Sequence, residues 1–236
     1  MNNRALGKLP KGWGGLTYDW SSDQRVFKGM PWNKAMMWIF LLSDTFIFCS
    51  VLISYMTVRV STATSWPDPS VVFGLEVFGG TSVPLLLIAI MTFVLISSSG
   101  TMAIAVKYGY EKNRKLCAIF LLLTAACGAT FVGMQVFEWT KLIFHEGVSP
   151  WGNPFGAEQF GAFFFMITGF HGTHVTVGVI FLLIMARKVW RGDFDSGRRG
   201  YFTTMKSDYL AIEIMGLYWH FVDLVWVFIF AFFYLW

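Results

Sequence analysis

A run of apolar residues from Phe160 to Ala186 is long enough to cross a bilayer, yet it carries two histidines, His171 and His174, near its middle. A second run, Ile212 to Trp236, holds His220 and Asp223 inside the segment LYWHFVDLVWVF. In hydrocarbon an ionisable side chain at a helix centre costs at least ~3 kcal/mol, so such residues face protein or a partner rather than lipid. These two segments are the pair around which the chain is organised.

The rest of the sequence supports the same medium. Charged residues make up 14% of the chain and apolar ones 56%, whereas soluble domains carry about 25% charged residues. Three further apolar runs follow the pattern. Met36 to Val58 reaches about 35 Å as a helix, enough for a ~30 Å hydrocarbon core. The second runs from about 83 to 106 and the third from 116 to 143; with 160–186 and 212–236 they predict an all-α integral membrane protein of five transmembrane helices. Residues 1–31 read as a cytoplasmic segment at the membrane surface, with Trp13, Tyr18 and Trp20 available for the interface. They lack the early apolar core of a signal peptide, so insertion is expected through the first helix. Residues 32–236 read as one membrane domain. Between the first two helices, WPDP (Trp66 to Pro69) and Gly79–Gly80 predict a loop, with a short interfacial turn over 71–78. No internal repeat is visible, and an odd number of helices argues against a transporter built from equal inverted halves.

The net charge of +4 does not point to nucleic acid, because the basic residues are sorted by loop. Six Lys and Arg precede the first helix, four lie in the second connection and six in the fourth, against one each in the first and third. That alternation predicts the N-terminus inside and the C-terminus outside. Cys49, Cys117 and Cys127 form no CxxC pair and read as small buried hydrophobes.

The intramembrane polar set is Asp44, Gln135, Glu138, His171, His174, Glu213, His220 and Asp223. Residues three apart share a helix face, which pairs Gln135 with Glu138, His171 with His174, and His220 with Asp223. Imidazoles and carboxylates on neighbouring helices can build a metal centre, but the Glu-x-x-His pairs of di-iron bundles are missing. The plainer expectation is that these groups bond to one another and tie helices together where water is absent. A proton relay through Asp44, Glu138 and the histidines is a further reading; for Asp44 alone the plain one is a carboxyl kept neutral by burial. The polar waist Ser97, Ser98, Ser99 and Thr101 reads as a packing face whose hydroxyls bond to their own backbone. Trp219, Trp226, Phe163 to Phe165 and residues 228–236 read as lipid-facing or interfacial aromatics. Arg187 and Lys188, at the inner end of the fourth helix, are candidates for lipid phosphate.

Two segments, FFFMITGFHGTHV (Phe163 to Val175) and YWHFVDLVW (Tyr218 to Trp226), resemble signature stretches of subunit III of cytochrome c oxidase, within the haem-copper oxidases. WIFLLSDTFIF in the first helix, VPLLL in the second, Gln135 with Glu138 and Trp139, and Glu213 seven residues before His220 extend the resemblance over Trp38 to Trp236. The resemblance implies a subunit of a respiratory-chain terminal oxidase in the bacterial inner (cytoplasmic) membrane. Such a chain carries no cofactor and performs no catalysis itself. It packs against subunit I, which bears haem and copper, and beside subunit II, binds phospholipids, and sustains proton uptake during oxygen reduction by cytochrome c. A larger respiratory supercomplex is a further partner the resemblance allows. Longer family members have seven helices, of which the first two are missing here, and usually carry Glu where this chain has Asp44. Subunit III of a quinol oxidase or of a nitric oxide reductase is the alternative within the resemblance. From the residues alone, an intramembrane metal-dependent enzyme or ion-coupled carrier using the same histidines stands as an alternative of another class.

Overall fold

The computed structural model describes residues 32–77, 81–194 and 209–235. The surface segment 1–31, the Gly79–Gly80 pair, the basic residues Arg198, Arg199 and Lys206, and Trp236 therefore lie outside the described residues. The chain divides into two compact units, Met1–Phe40 and Leu41–Trp236. In the first, the described residues are the opening turns of α1.

Five helices are long and apolar enough to cross a membrane. They are α1 (Trp32–Ser61), α2 (Leu86–Tyr110), α3 (Arg114–Phe144), α4 (Gln159–Arg191) and α5 (Leu210–Phe230). The five predicted spans are all present, and most of the helices run past the hydrophobic limits at one or both ends. Hydropathy locates where lipid begins, whereas a helix stops where its backbone is capped. The end of α4 shows this: Gly192 takes φ 78°, and its N–H and that of Asp193 bond back to the carbonyls of Val189 and Lys188. A glycine in the left-handed region closes a helix without a Cβ penalty. At the start of α3 the Asn113 side chain accepts a bond from the Leu116 N–H.

The first connection differs from the predicted loop. It forms a one-turn helix, Pro69–Val72, then an antiparallel ribbon of β1 (Gly74–Val77) and β2 (Thr81–Pro84). This ribbon takes residues 83 and 84 from the expected second helix, which instead begins at Leu86 after Leu85 in the left-handed region (φ 63°). The Lys141 ammonium donates to the Gly74 carbonyl, anchoring the ribbon to α3.

Within Leu41–Trp236, α2 packs on α3, α3 on α4, α4 on α5 and α5 back on α2. These contacts close a four-helix bundle around Trp219 of α5, which is 1% exposed. Two glycines make room for its indole. A Cβ on Gly128 of α3 would sit 2.5 Å from the ring, and one on Gly178 of α4 would sit 2.9 Å from it. The indole N–H donates to Ser98 Oγ of α2 at 2.9 Å, so one side chain engages all three other helices. One level along, the Trp226 N–H donates to Thr92 Oγ1 at 3.0 Å. The reading of these two tryptophans as lipid-facing is therefore corrected: both are core residues, and each N–H finds a hydroxyl because a buried donor without an acceptor is costly. Phe164, Phe233 and Tyr234 are buried as well. After Phe230 the chain opens into a π turn, Ala231–Leu235, and Phe233 and Tyr234 on this wider turn both point inward.

Helix α1 meets α4 through Phe48, whose ring lies 5.0 Å from that of Phe170. Its Tyr55 stacks on Phe233 at 4.2 Å.

Candidate functional site

The polar residues picked out from the sequence fall into separate groups, each pinning one helix to another. The first joins α1 to α4. His174 Nε2 lies 3.4 Å from Asp44 Oδ1, while His174 Nδ1 is 2.8 Å from the Phe170 carbonyl oxygen. A carbonyl can only accept, so Nδ1 carries a hydrogen. Nε2 therefore faces the Asp44 carboxyl across the contact between α1 and α4, and a polar group in an apolar medium needs such a partner. Tyr218 of α5 donates to the His174 carbonyl at 2.9 Å and brings a third helix to the same place.

His171, one turn earlier on α4, is held differently. It is 1% exposed, and neither ring nitrogen has a hydrogen-bond partner. Its ring stacks on Trp226 at 5.3 Å and meets the edge of Phe131 at 5.9 Å. Two histidines three residues apart thus do different work, one paired and one packed.

The second group joins α3 to the π turn. Gln135 Nε2 donates to Glu138 Oε2 at 2.8 Å, and Tyr234 O–H donates to the same carboxylate at 3.2 and 3.3 Å. Glu138 and Gln135 are both buried. Tyr234 is the partner that sequence reasoning missed. The i, i+3 rule finds neighbours along one helix, but 96 residues separate Tyr234 from Glu138, and only the π turn aims it there.

The third group joins α2 to α5 around Ser99. The Ser99 hydroxyl lies 2.5 Å from His220 Nδ1, and Asp223 lies one turn further along α5. Here the expectation of a wholly internal polar core needs correction. Asp223 is buried but His220 is exposed, because Trp219, its neighbour in sequence, occupies the bundle centre and successive helical residues point about 100° apart. Glu213 is also outside the core. It is half-buried near the start of α5 and accepts a 2.5 Å bond from Tyr110 O–H at the end of α2. Arg187 and Lys188 are exposed in the closing turns of α4.

The serine waist makes both kinds of contact. Ser97 and Ser98 bond to the carbonyls of Phe93 and Leu95 in their own helix, while Ser98 and Ser99 also take partners on α5. Thr101 meets Thr124 of α3 at 2.8 Å.

Haem or copper held by this chain would need several imidazole, thiolate or carboxylate groups converging on one point. Among the described residues no three His, Cys, Asp or Glu side chains do so. The polar groups pair across helix contacts instead, and the donor set does not fit such a centre.

The family model described as cytochrome c oxidase subunit III matches residues 16–236. A protein of Staphylococcus saprophyticus called probable quinol oxidase subunit 3 is 30% identical, over 89% of this chain and 90% of its own length. Its namesake in Staphylococcus aureus shows the same figures. A Rickettsia prowazekii protein called probable cytochrome c oxidase subunit 3 is 31% identical, over 89% of this chain and 69% of its own.

Proposed function

Because the chain belongs to the cytochrome c oxidase subunit III family, we propose that it is the non-redox accessory subunit of an aerobic terminal oxidase. It associates with the catalytic subunits of that oxidase, as its family implies, and supports oxygen reduction without performing it. The observation that carries this reading is the use made of the intramembrane polar residues. Asp44 with His174, Glu138 with Tyr234, and His220 with Ser99 each link separate segments of the fold. Bonds of this kind hold helices in place where water cannot substitute for a lost partner. On this reading subunits I and II are its neighbours, and haem and copper reside in them. The membrane is the bacterial inner membrane, with the N-terminus inside. Arg187 and Lys188 then face the inner leaflet, where anionic phospholipid supplies the complementary charge. On this reading the Asp44–His174 contact is where the chain supports proton uptake.

A second reading concerns the electron donor. Relatives called probable quinol oxidase subunit 3 and probable cytochrome c oxidase subunit 3 are 30% and 31% identical to this chain, which supports a quinol as the alternative to cytochrome c. The chemistry of donor binding belongs to other subunits, so the two readings share every residue assignment made here.

The deciding experiment is purification in mild detergent through a tag on this chain, followed by a reduced-minus-oxidised absorption spectrum and metal analysis. Haem bands with iron and copper, accompanied by larger membrane subunits, are expected. A colourless chain without partners would overturn the proposal. Assaying the same eluate with reduced cytochrome c and with a quinol separates the two donors.

A further inference from the structure

A side chain closed off from both water and lipid needs a partner for each polar atom, because an unmet donor or acceptor there costs the full loss of its solvation. His171 and Gln135 leave such atoms open. They are 1% and 5% exposed, and neither ring nitrogen of His171 nor Oε1 of Gln135 has a hydrogen-bond partner among the described residues. Turning the amide over would not help. Its Nε2 donates to Glu138, and a carboxylate accepts, so Oε1 must point elsewhere.

The two residues lie at the same depth of the bundle. Gly128 of α3 lies against Val179 of α4, and Trp139 of α3 against Gly169. The helices therefore run antiparallel, and Gln135 falls level with the turn of α4 that holds His171. The aromatic neighbours agree. Phe131, one turn before Gln135, meets the His171 ring at 5.9 Å. Trp226 stacks on that ring at 5.3 Å and meets Tyr234, the partner of Glu138, at 6.4 Å. Polar atoms that face one another at one depth without bonding directly are joined by a molecule small enough to stand between them.

We infer that a buried water molecule is held between the His171 ring and Gln135 Oε1, joining α4 to the Glu138–Tyr234 group. Enclosure selects the occupant. The imidazole is packed against Trp226, Phe131 and Phe48, so neither a lipid tail nor a neighbouring chain reaches it. A metal ion lacks ligands, since among the described residues no three His, Cys, Asp or Glu side chains converge. Water fits the atoms on offer. A neutral imidazole presents one N–H and one bare nitrogen, and a water can meet either while donating to Oε1. Buried waters make about two to four hydrogen bonds, and the ring nitrogen with Oε1 supplies the first two. The inference uses this chain's own residues and is independent of the oxidase reading.

The test is solid-state magnetic resonance on the full chain, purified with the partners that accompany it and returned to lipid, with isotope-labelled histidine and tryptophan. The His171 signals are identified by transfer to Trp226 and by their loss in His171→Phe. Magnetisation from water protons should reach the His171 nitrogens as it reaches those of exposed His145. In Gln135→Leu the transfer should fall several-fold at His171 and stay unchanged at His145. Water transfer at His145 but none at His171 in the wild-type chain would overturn the inference, whether or not the variant folds. A direct contact of the His171 ring with the Gln135 amide, without water transfer, would do the same. Undiminished transfer in a folded Gln135→Leu chain would remove the bridge.

Discussion

Asp44, with a side chain one methylene shorter than Glu, still reaches His174 at 3.4 Å. The contact is made across two helices, so replacing Asp44 by Leu removes a tie as well as a charge. Interhelical polar contacts in membranes are worth about 0.6–2 kcal/mol. Asp44→Leu should lower the thermal unfolding midpoint in detergent, and Asp44→Asn, which keeps a hydrogen-bonding head, should recover most of the loss. Equal losses would show that the pair acts through charge alone. Glu138 offers a second case. Tyr234→Phe deletes the hydroxyl that donates to its carboxylate and leaves a buried acceptor with Gln135 alone, a change of about 1–3 kcal/mol. Chemical unfolding in mixed micelles would measure it, and an unchanged midpoint would mean that the tyrosine packs without bonding. Asp44, Gln135, Glu138 and the histidines were legible in the sequence because a polar residue stands out in an apolar run. Tyr234 was not, since an aromatic near a membrane surface has an adequate explanation as an interfacial anchor.

For the helices, glycine position decides what packing allows. Gly128 and Gly178 lie against the Trp219 ring, whereas Gly172 in the same α4 has nothing within 4 Å of its would-be Cβ. Gly128→Ala should destabilise the bundle by about 1–3 kcal/mol through overpacking. Gly172→Ala should leave it unchanged or stabilise it by up to ~1 kcal/mol, because alanine is the better helix former. Comparing the two variants by differential scanning calorimetry tests the clasp; equal behaviour would remove it. All five helices were visible from hydropathy, but the ribbon at Gly74–Val77 and Thr81–Pro84 was not. Its short strands sit between turn residues, where breakers signal a loop and say nothing about whether two segments will pair.

For the whole molecule, the sorting of basic residues carries the orientation. We propose the N-terminus inside and the C-terminus outside, and expect an impermeant thiol reagent to label a cysteine placed at Trp151 only from the outer side. Trp151 lies in the α3–α4 connection and is 92% exposed. Labelling from the inside instead would invert the topology, while leaving the helix contacts described here unaffected.

The sequence alone determined the medium, the number of spans, their approximate limits and the family. All of these follow from one-dimensional patterns, because a bilayer imposes its thickness and its charge rule on each segment separately. Which polar residue bonds to which was decided by tertiary structure alone. His220 and Asp223 share a helix face by spacing, yet Trp219 rotates α5 so that Asp223 is buried and His220 faces outward. Helix rotation is set by the bulkiest side chain and the small residues that receive it, Gly128 and Gly178, and these lie 91 and 41 residues away in sequence from the tryptophan they enclose.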